Sequence, residues 1–441
     1  MPDRRVQRTS NSSFDPLSIP LQPPANESED EKAARLEAAR EATRVSRSID
    51  ILLLGQSESG KSSVLRNFRL AFTPKYFESE RLLWTTVIQL NLISSIKKIL
   101  TVLQEEWDET DSAESKHETP LTSEHRRLAL SLSPLLAFET SISQLMDGTT
   151  GHGYTVTVRP GGGWKDKLAT FAGRPPSATP DPIGEYTGTN DPSQVTQILA
   201  ACKTEIVTLW DDVVVRAVLE AHGVYLQDES GFFLDDTARI AGLDYGDIMR
   251  ARIRTLGVEE HRFVTESGFR AGTEFYITDV CGSSSQRSTW VPYFDDVQAI
   301  LFLAPLAFWQ SLDEDSKVNR VQDSLELWRE IVSSPLLAKT AFILLFNKKD
   351  VLQAHIDAGV MVRKYVPSFG DRPNDVVSVT KYFRDKFSAY HRKFSPEPRP
   401  FIFYETEAID TKSTATILGE VQEQIIRNHL KDLDVIYNGA R

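Results

Sequence analysis

The chain has 441 residues, 40% apolar and 9% aromatic, and carries a formal charge of −12. That length suits roughly two or three domains with a sizeable core, and the acidic balance argues against nucleic acid as the main partner, because binding phosphate backbones needs a basic surface, while leaving a local basic patch open. Two cysteines, Cys202 and Cys281, imply no disulfide framework and fit a reducing, intracellular compartment.

In chain order, residues 1–26 are rich in Ser, Pro and Asn and are expected to be disordered. Their first five residues lack the apolar core of a signal peptide. Residues 27–47 read as a helix with a weak apolar stripe including Leu36 and Val45, either a solvated linker or a docking surface. Ile51, Leu52, Leu53 and Leu54 form an apolar run typical of a buried parallel strand. Helical spacing follows over 62–70, 77–106, 126–146 and 195–240, with no run read as long enough to span a bilayer. The stretch 147–193, dense in Gly, Pro, Thr and Asp, reads as a flexible insertion. From Phe263 the pattern turns to strands alternating with helices, the strands falling at 275–278, 299–306, 341–346 and 401–404. This rhythm predicts an α/β fold with a mostly parallel sheet, interrupted after its first helix by an all-helical domain. The eight histidines are scattered without metal-ligand spacing.

Two motifs carry chemistry. Gly55-Gln56-Ser57-Glu58-Ser59-Gly60-Lys61-Ser62 fits the phosphate-cradling P-loop and stands between the strand and the helix that such a loop needs. Backbone N–H groups there face an anion, Lys61 reaches the outer phosphates, and the Ser62 hydroxyl holds Mg²⁺. Asn347-Lys348-Lys349-Asp350 follows a buried strand. A carboxylate at Asp350 accepts from the N1–H and 2-amino group of guanine, whereas adenine leaves it unpaired. Asn347 braces the loop, and the Lys348 stem packs on the base. Thr406-Glu407-Ala408 is placed to offer a backbone N–H, at Ala408, to the base oxygen.

With these motifs the chain resembles the α subunits of heterotrimeric G proteins, over roughly 27–436 apart from the insertion. Arg250-Ala251-Arg252-Ile253-Arg254-Thr255-Leu256-Gly257-Val258 matches that family's first switch. The resemblance implies a Ras-like GTPase domain over 48–72 and 249–441, with a helical domain over 73–248. It also implies a GTP/GDP ligand contacted by Gly55, Glu58, Ser59, Gly60, Lys61, Ser62, Ser63, Asp228, Arg250, Arg252, Thr255, Asp279, Gly282, Asn347, Lys348, Asp350 and Ala408. Mg²⁺ would lie on Ser62 and Thr255. Arg252 would be a built-in arginine finger, able to pair with Glu58 in the GDP state. Asp228 would reach toward Lys348 and latch the two domains.

The second switch departs from the family's D-V-G-G-Q-R and reads Asp279-Val280-Cys281-Gly282-Ser283-Ser284. Ser283 stands where a glutamine orients the attacking water, which predicts slow hydrolysis with nucleotide binding retained. Gln286 is a substitute if the loop is rerouted, and Cys281 reads as a tolerated small side chain. The implied partners are a βγ dimer, gripped through Arg287 and Trp290, a G-protein-coupled receptor, and an unidentified effector, adenylate cyclase-like among the candidates. Pro2 replaces the glycine needed for myristoylation. Peripheral membrane association is therefore expected through partners or basic residues, at the cytoplasmic face of the plasma membrane or in the cytoplasm. The rival classes are a non-hydrolysing GTP-bound scaffold, separated by comparing turnover with binding, and an ATP-using enzyme, which Asp350 opposes.

Overall fold

The computed structural model describes residues 48–111, 120–145, 157–158, 164–165, 168, 192–236, 245–255, 257–266, 272–295, 297–312, 315, 317–407, 410–421, 423 and 425. The expected N-terminal disorder over 1–26, the helix over 27–47, most of 147–193, Ala408 and the chain beyond Ile425 lie outside the described residues.

A six-stranded sheet runs in the order β4-β5-β1-β6-β7-β8. Its strands are β1 (Ser48–Leu54), β4 (Val258–Val264), β5 (Glu274–Val280), β6 (Ala299–Pro305), β7 (Ala341–Asn347) and β8 (Ile402–Glu405). The ladders β1–β6, β6–β7 and β7–β8 are parallel, and β4–β5 is antiparallel. All seven residues of β6 are buried, as a central parallel strand covered on both faces requires. The antiparallel β4 is not legible as a strand. Of its Val-Glu-Glu-His-Arg-Phe-Val run only His261 is buried, so no alternating apolar pattern exists to read.

Helices α9 (Arg320–Val332) and α12 (Val376–Phe394) are packed together beside the sheet. Trp328 of α9 meets Phe302 of β6 edge-on at 5.0 Å and donates its indole N–H to the Phe387 carbonyl at 3.1 Å. Side chains start both helices: Asn319 accepts from the amides of Val321 and Gln322, and Asp375 from that of Ser378.

Between α1 (Lys61–Phe72) and β3 (Arg254–Thr255) the described residues are mostly helical: α2 (Pro74–Ser79), α3 (Arg81–Asp111), α4 (Ser123–Leu145), α5 (Pro192–Ala201), α6 (Lys203–Asp211), α7 (Val213–Ala221) and α8 (Tyr245–Arg250). The expected run over 77–106 breaks at Glu80, and that over 195–240 breaks at Cys202 and Asp212. The stretch Leu83–Thr110 within α3 is long and apolar enough to cross a membrane, contrary to the sequence expectation. Of its most apolar window, 78% is buried inside the protein, where α4, α5, α7 and α8 pack around it, so α3 is the central helix of this core.

Within the insertion, the described residues include a short strand and three core positions. β2 (Thr157–Val158) pairs in parallel with β3, and Val158, Trp164 and Leu168 are buried in the helical core. Glycine-rich composition concealed these three apolar positions.

Candidate nucleotide-binding site

The loop between β1 and α1 turns on two glycines with positive φ, Gly55 at 144° and Gly60 at 98°. A Cβ on Gly60 would stand 2.1 Å from Asn347 Nδ2, so the approach of β7 to this loop also demands glycine. Glu58 adopts φ 62° at the loop's crest. Lys61 opens α1, and its ammonium donates to the carbonyls of Gly55 at 2.8 Å and Gln56 at 2.9 Å. Burial lowers its pKa, with Asp279 pulling the other way. Gln56, unremarked in the sequence, is buried and donates to the Arg320 carbonyl at 2.7 Å and to the Ser324 hydroxyl, tying the loop to α9.

The Ser62 hydroxyl donates to Asp279 Oδ2 at 3.1 Å. The other carboxylate oxygen, Oδ1, is buried with no hydrogen-bond partner among the described residues, as is the Ser59 hydroxyl. Burial raises the Asp279 pKa to about 6 despite the opposing charge of Lys61. An oxygen donor pair with an orphaned, desolvated carboxylate oxygen fits a hard divalent cation such as Mg²⁺. Ser63 commits its hydroxyl to the Met249 carbonyl at 2.9 Å, leaving its position at the helix N-terminus as its means of reaching an anion.

Arg252 pairs with Glu58, as expected, and Arg320 stands 3.8 Å from the same carboxylate. Asn91 of α3 grips the Arg252 backbone from both sides: its Oδ1 accepts from the Arg252 amide at 2.7 Å, and its Nδ2 donates to the Arg252 carbonyl at 2.8 Å. Gly231, with φ 84°, lets this contact form, since a Cβ there would meet Arg252 Cβ at 2.9 Å. Neither residue was legible as functional, because their meaning arises from a partner far along the chain. Arg250 ends α8 facing Asp236 at 4.0 Å rather than joining this group. Thr255 lies in β3 beside Val158 of the insertion.

In the second switch, Gly282 is pressed against the P-loop. Its carbonyl accepts from the Ser57 amide at 3.2 Å, and a Cβ would meet the Gln56 carbonyl carbon at 2.3 Å. Ser283 is buried, with its hydroxyl 3.0 Å from that of Ser285. Gln286 turns away to accept from the Gly257 amide at 3.1 Å, which joins the two switches. Arg287 makes a two-pronged pair with Asp323 of α9 at 2.9 and 2.6 Å. Trp290 is buried and donates to the Cys281 carbonyl at 3.0 Å. These two side chains, expected at a partner surface, are thus engaged within the chain.

At the end of β7, the Asn347 side-chain amide donates to the Ser59 carbonyl at 2.9 Å and accepts from the Thr406 hydroxyl at 3.3 Å. This is the expected bracing. Lys348 takes φ 62°, and Asp350 falls in the first turn of α10 (Lys349–Asp357). Lys349 pairs with Glu405 at 2.8 Å. Burial raises the Glu407 pKa, and the Asp350 charge adds to the effect.

Asp228 makes contacts that the sequence did not announce: its Oδ2 accepts from Trp309 Nε1 at 3.3 Å and lies 3.1 Å from His355 Nε2. The indole and imidazole rings stack 3.7 Å apart, while His355 Nδ1 faces the Val351 carbonyl at 3.0 Å. These contacts latch the helical segment to the sheet-bearing part.

A P-loop at the switch-bearing end of a parallel sheet, an Asn-Lys-Lys-Asp loop beside it and a helical insertion define a guanine-nucleotide-binding switch. The chain matches the family model "G-protein alpha subunit" over residues 25–425. It is 28% identical to the "Guanine nucleotide-binding protein alpha-4 subunit" of Mycosarcoma maydis, covering 97% of this chain and 96% of that protein. It is 26% identical to the alpha-1 subunit of Kluyveromyces lactis (88% and 91% covered) and 24% identical to the G(o) subunit alpha of Geodia cydonium (90% and 93% covered). The chain belongs to the G-protein α-subunit family: it is a guanine-nucleotide-binding α subunit of a heterotrimeric G protein. Members of this family are GTPases, and the scaffold alternative is not favoured.

Proposed function

We propose that this α subunit is a Mg²⁺-dependent switch with slow intrinsic hydrolysis and a long-lived GTP state. It would work with a βγ dimer and a receptor at the cytoplasmic face of the plasma membrane, attached peripherally through its partners. The partner reading is supported by the family, and the slow step by one observation. The Ser283 hydroxyl is buried beside Ser285, and the Gln286 side-chain oxygen accepts from the Gly257 amide, so neither presents a glutamine-like acceptor to an attacking water.

Ser62 and Thr255 would hold Mg²⁺, with Asp279 behind, and the ion would offset negative charge on the polyphosphate. Lys61 exchanges its two carbonyl partners for phosphate oxygens, and Arg252 leaves Glu58 for the transferred phosphoryl group, whose developing charge its guanidinium offsets. Asp350 accepts from the guanine edge while Asn347 keeps its loop against the P-loop. Contacts of Thr255 and the Gly282 amide with the γ-phosphate order the switches, and losing that phosphate releases them.

Single-turnover hydrolysis tests this. Ser283→Gln is expected to raise the rate by about 10²-fold, the scale of water positioning. A wild-type rate already equal to that of the Gln variant would sink the slow-hydrolysis reading.

A further inference from the structure

The described residues of the insertion touch the first switch directly. Thr157 pairs with Arg254 and Val158 with Thr255, so β2 extends the switch strand on one side. On the other side, Gly257 is held by Gln286 and by the Cys281 amide, which donates to its carbonyl at 2.9 Å. Val158, Trp164 and Leu168 are buried in the core that contains Met249 and Ala251, the residues leading into the switch. Lys165 adds a charged anchor. Its ammonium donates to Glu80 Oε1 at 2.9 Å, and its charge also acts on Glu259, the second residue of β4 just beyond the switch. Arg69 and the buried, uncharged His261 complete this cluster, Arg69 donating to His261 Nδ1 at 2.8 Å.

We propose that the insertion braces the first switch from within the chain: β2 and the Trp164–Lys165–Leu168 anchor position the backbone of Arg254 and Thr255 and slow its opening. The inference rests on reading Arg252 and Thr255 as switch residues. Thr157, Val158, Trp164 and Lys165 then act as positioning residues for the nucleotide cycle. A parallel ladder of two residues is short, so pairing alone would fray. Burial of Val158 in the helical core beside Trp164 and Leu168 makes it persist, since opening the strand would uncover Val158.

Hydrogen exchange of the full-length chain, read separately over 254–258 and over β6, provides the test. Val158→Pro keeps an apolar side chain but removes an amide from β2 and disfavours its pairing. Lys165→Met keeps the stem and removes the charge. Exchange over 254–258 is expected to rise about tenfold or more in the first variant and less in the second, with β6 protection retained. GDP release should quicken in the same order. Unchanged protection over 254–258 would overturn the brace, and so would an equal loss in β6, which would make the segment a mere prop of the core. If Val158→Pro does not fold, Lys165→Met decides alone on the same readout. Because exchange is followed without added nucleotide, a failure to bind guanine nucleotides would strike the functional reading and leave this result intact.

Discussion

Asn91 illustrates what a single side chain contributes here. Its amide satisfies both backbone groups of Arg252, 161 residues away, and so fixes where the arginine's stem begins. Asn91→Ala leaves that amide and carbonyl without their partner, at a cost of about 1–3 kcal/mol. Thermal unfolding should detect the loss, and GTP hydrolysis should fall while GTP affinity is retained; an equal fall in affinity would contradict the assigned role. The P-loop and the Asn-Lys-Lys-Asp loop were legible because each function lies within a few consecutive residues beside a strand. Asn91, Gly231 and Gln56 were not, because nothing local distinguishes a helix asparagine or a turn glycine from any other. Asp228 was legible as a latch residue, but its contacts with Trp309 and His355 were not. The stacked Trp309 and His355 that receive it carry no motif.

The turn Leu226–Asp228 and helix α10 are held together by that latch, and its strength depends on pH. Each ring nitrogen of His355 faces an oxygen acceptor, so both bonds form fully only when the imidazole is protonated. Burial works against that charge, but the hydrogen bond and field of Asp228 outweigh it and raise the pKa above the ordinary 6.5. The folded value being the higher one, the latch's contribution is complete below about pH 6.5 and is lost as pH rises through the raised value. An NMR titration of His355 should show a midpoint above 6.5, and Asp228→Asn should lower it; a native midpoint at or below 6.5 would refute the latch chemistry. At this scale the central strands were readable from their continuous apolar runs. β4 was lost because only one of its residues is buried, and β2 because a two-residue strand leaves no periodicity.

Two hydrophobic cores coexist within residues 50–441, one built around α3 and one around the sheet with α9 and α12. Ligand binding across loops from β1, β5 and β7 should stabilise the chain by mass action, about 2.7 kcal/mol at 100 times the dissociation constant. GDP is therefore expected to raise the melting temperature by a few degrees, and the same concentration of ATP to leave it unchanged, because Asp350 is left unpaired by adenine. A shift of equal size with ATP would remove the basis for guanine selectivity. The central position of α3 has a further consequence during synthesis. Leu83–Thr110 leaves the ribosome well before α4, α5 and α7, which cover it, have been translated. At roughly 5–20 residues per second, the nascent chain carries an uncovered apolar rod for on the order of 5–20 seconds. That interval is a window for chaperone capture or mistaken sorting, and it narrows as α4, α5 and α7 emerge ahead of α8.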